Sequence, residues 1–357
     1  MKEINDIFED KIEKEEPLPS RKTTTYSQEE ISELYAVDFS VLIHTYNGQK
    51  NLEKNLPALV KALEEYKEGK SEIIVIDNGS NNESENIAQK AGGNIKYYRQ
   101  EKQTGLCTLL NEGISKCKYP LIMILEDDVE VTNGFMRPLI SAISEEEYFA
   151  VIPQIRLKTK KDMVYSLNLL HFRNGGIEMQ EIPDGKFPDP VYVPALSYTA
   201  CMIRKDFAAQ LGNFDPLLDP YFYGDLDLGY RAWKRDQRTI YARESIVYHD
   251  DMDPFTEIYK GEENLWMRFR NHHIFIEKNI TDSALYSQHS SKILKTSLGI
   301  KLGINKDHVI KKGIESIEKI KRTLSEKRKT EKKEGTLKDS DLFRLFSAHP
   351  DNRLSVA

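Results

Sequence analysis

The sequence predicts an α/β fold with a mainly parallel, mixed central sheet and a charged helical C-terminal extension. Three observations carry this. Strand-like apolar runs alternate with helical patterns from Phe39 to Val131, which implies parallel strands joined by right-handed crossovers. The run Leu121-Ile122-Met123-Ile124-Leu125 stops abruptly at Glu126-Asp127-Asp128, as in a strand buried on both faces with acids at its carboxyl tip. Past about residue 283 the composition turns basic, with apolar residues at helical spacing.

Residues 1–36 are charged and polar, with Pro17 and Pro19 interrupting any helix, and read as a polar N-terminal extension. The first strand is Phe39-Ser40-Val41-Leu42-Ile43-His44, broken at Thr45-Tyr46-Asn47-Gly48. A helix follows with Leu52, Leu56, Leu59, Val60 and Leu63 on one face. The pattern repeats with Ile73-Ile74-Val75-Ile76, the turn Asp77-Asn78-Gly79-Ser80 and a polar helix through Ile87 and Ala88. A third unit runs from Ile95-Lys96-Tyr97-Tyr98 through Thr104-Gly105 into a helix carrying Leu106, Leu109, Leu110 and Ile114.

Three strand ends therefore bring Thr45-Tyr46-Asn47, Asp77-Asn78-Gly79-Ser80 and Glu126-Asp127-Asp128 to one edge of one sheet. Ligands of open α/β sheets bind past that edge. Each group alone has a plainer reading: Asp77 as a helix cap, Asn47-Gly48 as a turn pair, the acids as a solvated turn. Together, a ring, an acid able to accept from a base N–H and a cation-binding acid suit a nucleoside diphosphate. Neither a Walker glycine loop nor G-x-G-x-x-G is present, so a metal rather than a backbone cradle would hold the phosphates.

Composition narrows the class. The 357 residues allow about two domains, or one large one with appendages. A net charge of -6 points to no nucleic-acid partner. The three cysteines, Cys107, Cys117 and Cys201, lack any C-x-x-C, which argues against a disulfide framework or a zinc site and fits a reducing cytosol. With no signal-like or spanning segment, the expectation is a cytoplasmic protein, at most peripheral on the inner face of the cell membrane.

The ordered landmarks Ser40–Asn47, Ile74–Ser80, Gly105 with Asn111-Glu112-Gly113, and Leu125–Val129 resemble the donor half of family 2 glycosyltransferases, inverting enzymes of the GT-A fold. The resemblance continues through Gly212–Asp215, Tyr221–Arg231, Ile246–His249 and Arg270–Phe275. The last stretch resembles the rhamnosyltransferase-like subgroup. The resemblance implies a GT-A αβα sandwich over residues 37–282. Its nucleotide-sugar half is 37–131 and its acceptor half 132–282, and the helical basic extension is 283–357.

It also implies roles. Asp128 corresponds to the acid of the D-x-D motif that binds Mg2+ or Mn2+ across the donor phosphates, and His249 to a late histidine reaching the metal. Glu126, where Asp is usual, Asp127 and Gly105 fall in the donor-binding segments. Asp77 matches the reader of the uracil or thymine ring of a UDP- or dTDP-linked donor, and Thr45, Tyr46 and Asn47 the segment around the base. Asp225 takes the place of the general base that an inverting displacement needs. The family's preceding Glu is Gly224 here. Asp227 reads as a helix cap and an i,i+4 partner of Arg231.

Residues 154–198 read as a long irregular insertion serving the acceptor, with Tyr198, Tyr221, Phe222, Tyr223 and Trp233 as rings for a sugar face and Trp266 and Phe269 as core. In the extension Val309, Ile310, Ile314, Ile317, Ile320 and Leu324 form an apolar stripe, and from Lys311 to Lys333 ten Lys/Arg face four Glu. Such a helix suits an anionic membrane surface, or packs on the domain or on another subunit. Leu342-Phe343 and Leu345-Phe346 read as a docking segment.

The function expected is metal-dependent inverting transfer of a sugar from a nucleotide donor to a hydroxyl of a glycan, glycolipid, lipid-linked or glycoprotein acceptor, and homo-oligomer formation is compatible with it. One alternative is a catalytically silent glycan-binding or scaffold subunit, motivated by Gly224 and Glu126. Another is a sugar-nucleotide nucleotidyltransferase, against which His44–Gly48 lacks a basic, glycine-rich triphosphate loop.

Overall fold

A computed structural model describes residues 37–350, apart from 82, 145–147, 160–162, 184, 186, 188 and 251–259. The first described element is β1 (Phe39–Thr45), buried at every position; the polar N-terminal extension read over residues 1–36 lies outside the described residues. Helix α1 (Gln49–Glu65) lays Leu52, Leu56, Leu59, Val60 and Leu63 on the sheet, the face its periodicity predicts. Then follow β2 (Ser71–Asp77), α2 (Ser84–Lys90), β3 (Ile95–Arg99), α3 (Leu106–Lys116) and β4 (Leu121–Glu126). Next come β5 (Glu130–Val131), α4 (Met136–Ile143), β6 (Tyr148–Leu157), β7 (Met163–Arg173), β8 (Gly176–Pro183), β9 (Val191–Tyr192) and β10 (Ala200–Arg204). Helices α5 (Lys205–Gln210) and α6 (Gly224–Lys234) lead to β11 (Arg238–His249).

The sheet order is β3-β2-β1-β4-β10-β6-β11-β5. β1 to β4 are mutually parallel, and β10 is antiparallel to both neighbours. β6 therefore runs with β4 again, and β11 is parallel to β6. This has a direct consequence for the site. Thr45 is level with Asp77, His44 with Glu126, and the last residue of β11, His249, reaches the same edge.

The segment read as an irregular insertion holds the β7–β8 hairpin. Its turn is Asn174-Gly175, both at positive φ (51° and 67°), the geometry that Asn-Gly favours in a tight hairpin. A register shift between Met163 and Asn168 disrupts the two-residue alternation that would have revealed it.

The C-terminal segment is helical, as expected, but it packs into the domain rather than standing apart. After α7 (Glu262–Asn279), which precedes it, the segment from 283 comprises α8 (Ser283–Lys301), α9 (His308–Glu334) and α10 (Asp339–Ser347). Ile314, Ile317 and Leu324 of the basic stripe are buried, and α9 lies along α7 with Gly313 against the Phe269 ring. Packing on the domain is thus what occupies this stripe. The docking segment also finds its partner in its own chain: Phe346 meets Trp233 edge-on at 5.0 Å, and Phe343 meets Phe172 at 5.4 Å and Tyr230 at 5.9 Å.

Buried charge pins these layers. Asp339 accepts from Tyr230 Oη (2.7 Å), Lys234 Nζ (2.8 Å) and the Thr281 and Asp282 amides (2.6 and 2.7 Å). Asp227 is fully buried among Arg231 Nε (2.9 Å), Lys278 Nζ (2.8 Å) and Asn279 Nδ2 (2.7 Å), while Lys278 also meets Asp215 at 2.5 Å. The expected Asp227–Arg231 pair is present. The capping role is not: the N-cap of α6 is Tyr223, with no side-chain cap. No helix among the described residues is long and apolar enough to cross a membrane.

Removing one member of a buried ionic group leaves its partners uncompensated. Asp227→Ala is therefore expected to cost about 3 kcal/mol or more in urea-unfolding stability, whereas the exposed pair partner change Glu326→Ala costs under about 1 kcal/mol.

Candidate active site

The chemistry gathers where β4 ends. Glu126, Asp127 and Asp128 are all buried, so three adjacent carboxylates share a poorly solvated site. Their side chains separate. Glu126 and Asp128 converge on His249, whose Nε2 lies 3.4 Å from Glu126 Oε2 and 3.1 Å from Asp128 Oδ2. Ligand atoms from the three all lie within 4.8 Å of one another. Asp127 turns to the opposite partners, accepting from Thr45 Oγ1 and from Asn51 Nδ2 (2.8 Å), with its carbonyl held by Asn55 Nδ2 (2.9 Å). Gly48 is required there, because a Cβ would overlap Asp127 Oδ2 and Thr45 Oγ1.

Burial alone would push the histidine down, but the two carboxylates beside it raise His249 to about 10. Burial pushes the Asp127 carboxyl up to about 7, against the pull of Thr45 and Asn51. Burial also raises Asp128, aided by the charge of Glu126, while His249 pulls it back. Asp128 Oδ1 and His249 Nδ1 are buried without hydrogen-bond partners among the described residues. Two buried carboxylates and an imidazole that would release its proton on coordination fit a divalent cation, which would neutralise the cluster.

The neighbouring strand tips are tied to this one. Asn78 N donates to the Thr45 carbonyl (2.9 Å), Asn47 N to Ser80 Oγ (2.7 Å), and Asn78 Nδ2 to the Thr104 carbonyl (3.0 Å). Tyr46 is half-buried and Asn47 exposed at φ 55°. Asp77 is fully buried, and both its oxygens are engaged by Ser80, Tyr97 Oη (2.5 Å) and Arg99 Nε (3.0 Å). Gly105 makes room for Asp219, whose carboxylate accepts from Cys107 N (2.9 Å) and Thr108 Oγ1 (2.5 Å) at the start of α3.

A second centre opens around Asp225. It lines a cavity of about 380 Å³ with Tyr198, Tyr221, Tyr223, Arg268 and residues of the β7–β8 hairpin. Burial lifts its carboxyl to about 6, although Leu226 N donates to it at 2.9 Å. Gly224 has a steric reason: a Cβ there would overlap Tyr198 Oη and crowd Cys107 Sγ. Of the rings read as a sugar platform, Tyr198, Tyr221, Phe222 and Tyr223 line the cavity. Trp233 does not; it is buried under Phe346 and donates Nε1 to the Val193 carbonyl at 2.9 Å.

One short segment joins the two centres. Thr199 Oγ1 donates to Glu126 Oε2 (3.3 Å) and its carbonyl accepts from Glu126 N (3.0 Å). The adjacent Ser197 and Tyr198 form the cavity wall, and the Tyr198 carbonyl meets His44 Nε2 at 3.1 Å.

Three contributors had no assigned role in the sequence. Thr199 carries no motif, and Asp219 acts across 112 positions of chain on Cys107. Asn271 lies within the recognised stretch Arg270–Phe275. Its Nδ2 donates to the carbonyls of Leu218 (2.5 Å), Tyr221 (2.7 Å) and Phe222 (3.2 Å). Those bonds hold Phe222 and Tyr223 at φ 73° and 70°, costly for bulky residues and sustained only by surrounding structure.

Residues 40–212 match the family model described as Glycosyl transferase family 2. The chain is 24% identical over 179 residues to human polypeptide N-acetylgalactosaminyltransferase 9, covering 46% of this chain and 30% of that one. It is 25% identical over 179 residues to the inactive polypeptide N-acetylgalactosaminyltransferase-like protein 5 of Macaca fascicularis, covering 45% and 40%. The chain thus spans well under half the length of these relatives. Its fold is similar to that of GalNAc-T7 with UDP, GalNAc and Mn2+ (TM-score 0.60, 18% identity, 87% of this chain and 56% of that). It is likewise similar to S. aureus TarS 1-349 in complex with UDP-GlcNAc (0.53, 16%, 89% and 90%). Both likenesses show a GT-A fold.

If the triad holds a cation, Mn2+ raises the melting temperature of the protein, and Asp128→Ala or His249→Ala abolishes that shift. Asp127→Asn retains it, since that carboxylate faces Thr45 and Asn51. A shift surviving both triad changes would place the metal elsewhere.

Proposed function

We propose that this GT-A chain, with its family 2 glycosyl transferase match over residues 40–212, moves a sugar from a nucleoside-diphosphate donor to an acceptor hydroxyl with inversion. The observation that carries this reading is the placement of two chemistries on either side of Ser197–Thr199: the Glu126, Asp128 and His249 cluster, and the cavity holding Asp225. Inverting displacement needs this pairing, an electrophilic hold on the leaving diphosphate and a base on the other face.

Glu126, Asp128 and His249 would hold the cation, and the mixed oxygen and nitrogen set favours Mn2+ over Mg2+. When bound, such an ion supplies charge neutralisation for the departing diphosphate. Thr45, Tyr46 and Asn47 border the nucleoside. Asp77 acts by fixing Tyr97 and Arg99 at that edge, its oxygens being already engaged. Asp127 and Gly105 are positioning residues, the first for the β1–α1 turn and the second for Asp219. A uridine donor bearing an N-acetylhexosamine is favoured by the relatives' names and by the ligands of the similar structures. The rhamnosyltransferase-like stretch has a different explanation in the loop-holding bonds of Asn271.

Asp225 accepts the acceptor proton as the hydroxyl attacks. Its carboxyl, raised to about 6 by burial, is a stronger base than an exposed aspartate and is mostly ionised at neutral pH. Tyr198 Oη occupies the space of the family's glutamate, so the ring, not a second acid, borders the base. A silent binding subunit is the rival reading, and the inactive relative and Gly224 are its support.

Turnover of UDP-N-acetylhexosamines with a panel of glycan acceptors and Mn2+ separates the two. Sugar transfer is expected for the first reading and nothing for the second. Asp225→Asn should lower kcat by about 10²–10⁴-fold with donor affinity unchanged; equal kcat would remove Asp225 as base. Because the base must be unprotonated, kcat/KM should fall tenfold per pH unit below about 6 and level off above it. A flat profile from pH 5 to 8 would contradict that role.

A further inference from the structure

Helix α8 carries apolar side chains on two opposite faces. Leu285, His289, Ile293 and Ile300 fall on the side against the protein, where His289 is buried and its Nδ1 bonds the Gly175 carbonyl at 2.8 Å. On the other side Leu294, Leu298 and Leu302 stand at i, i+4 and i+8, with exposures of 70%, 53% and 64%, and Ile304 beyond the helix end is 77% exposed. A stripe this regular is unusual on a free surface.

The charges around the stripe define its partner. At about 100° per residue the three leucines span an arc of about 80°, with Lys301 just outside one margin and Lys295 just outside the other. Lys306 adds to them beyond the helix end, and no Asp or Glu occurs from Ser283 to Lys306. These three lysines are exposed. Two copies packed through this face would bring lysine against lysine with no acid on the helix to pair them. An anionic lipid surface accepts both parts: acyl chains take the leucines, and lysines reach out to phosphates.

We propose that the outer face of α8, Leu294, Leu298, Leu302 and Ile304 framed by Lys295 and Lys301, docks on an anionic lipid bilayer. This moves the membrane-facing role from the α9 stripe, which is buried against α7, to the preceding helix. It does not depend on the sugar-transfer reading, because neither centre of the site contributes to it.

The test is co-sedimentation of the full chain with vesicles of phosphatidylcholine alone or mixed equally with phosphatidylglycerol. Binding is expected only to the anionic vesicles and to fade as salt is raised. Leu294→Ser with Leu298→Ser should weaken it more than about tenfold, and Lys295→Glu with Lys301→Glu should abolish it. Both pairs are exposed, so melting temperatures should match the parent. Unchanged binding by either double variant, or no binding to anionic vesicles, overturns the proposal. So does a dimer in analytical ultracentrifugation that the leucine pair dissolves, which would assign the face to a second copy.

Discussion

The constraint on which the site depends is the crowding of three adjacent carboxylates at a buried strand end. Like charges this close destabilise one another in a poorly solvated interior. Side-chain alternation resolves the conflict by sending Glu126 and Asp128 to one side and Asp127 to the other. Asp127 is then satisfied by amide and hydroxyl donors from the first strand–helix unit, which locks the β1–α1 turn. The other two converge on His249, with Thr199 as a further donor to Glu126, and Asp128 Oδ1 and His249 Nδ1 keep no hydrogen-bond partner among the described residues, which is why the cluster could hold a cation. The topology completes it, because a single antiparallel strand, β10, lets β11 return parallel and deliver His249 to the same edge.

The second centre is built by different means. Asp225 stands at the start of α6 after two residues in left-handed conformation, and the loop holds that shape because Asn271 spends one amide on three carbonyls. Helix α7, which carries Asn271, is backed by α9, so the C-terminal helices support the cavity from behind. Thr199 and Tyr198, adjacent in the chain, fix the cavity wall to Glu126 and His44 at the strand tips. Asp219, capping α3 through the gap left by Gly105, ties the start of α3 to the segment before α6.

Much of this was legible in the chain. The parallel units announced themselves through uninterrupted apolar runs, and motif order paired Asp128 with His249, while Glu126 fell in the donor-binding segments and not in their company. Other features left no local trace. The β7–β8 hairpin was hidden by a register shift that breaks alternation. Trp233 looked like a sugar platform because its covering residue, Phe346, lies 113 positions later. The apolar stripe of α9 fitted a lipid face, the domain or another subunit alike, because periodicity tells that one side is buried but not against what. Gly224 appeared to be a missing acid until the Tyr198 hydroxyl was seen in its place. Each of these depends on contacts between distant segments, which spacing cannot encode.

The central claim is that the carboxylate–histidine cluster and the Asp225 cavity are two ends of one site. Anomalous diffraction from crystals grown with Mn2+ and a UDP-N-acetylhexosamine tests it most directly. The account predicts a manganese peak bonded to Glu126, Asp128 and His249, with the diphosphate on the metal and the sugar directed towards Asp225. Manganese bound away from those three side chains, or a sugar directed away from the cavity, would contradict it.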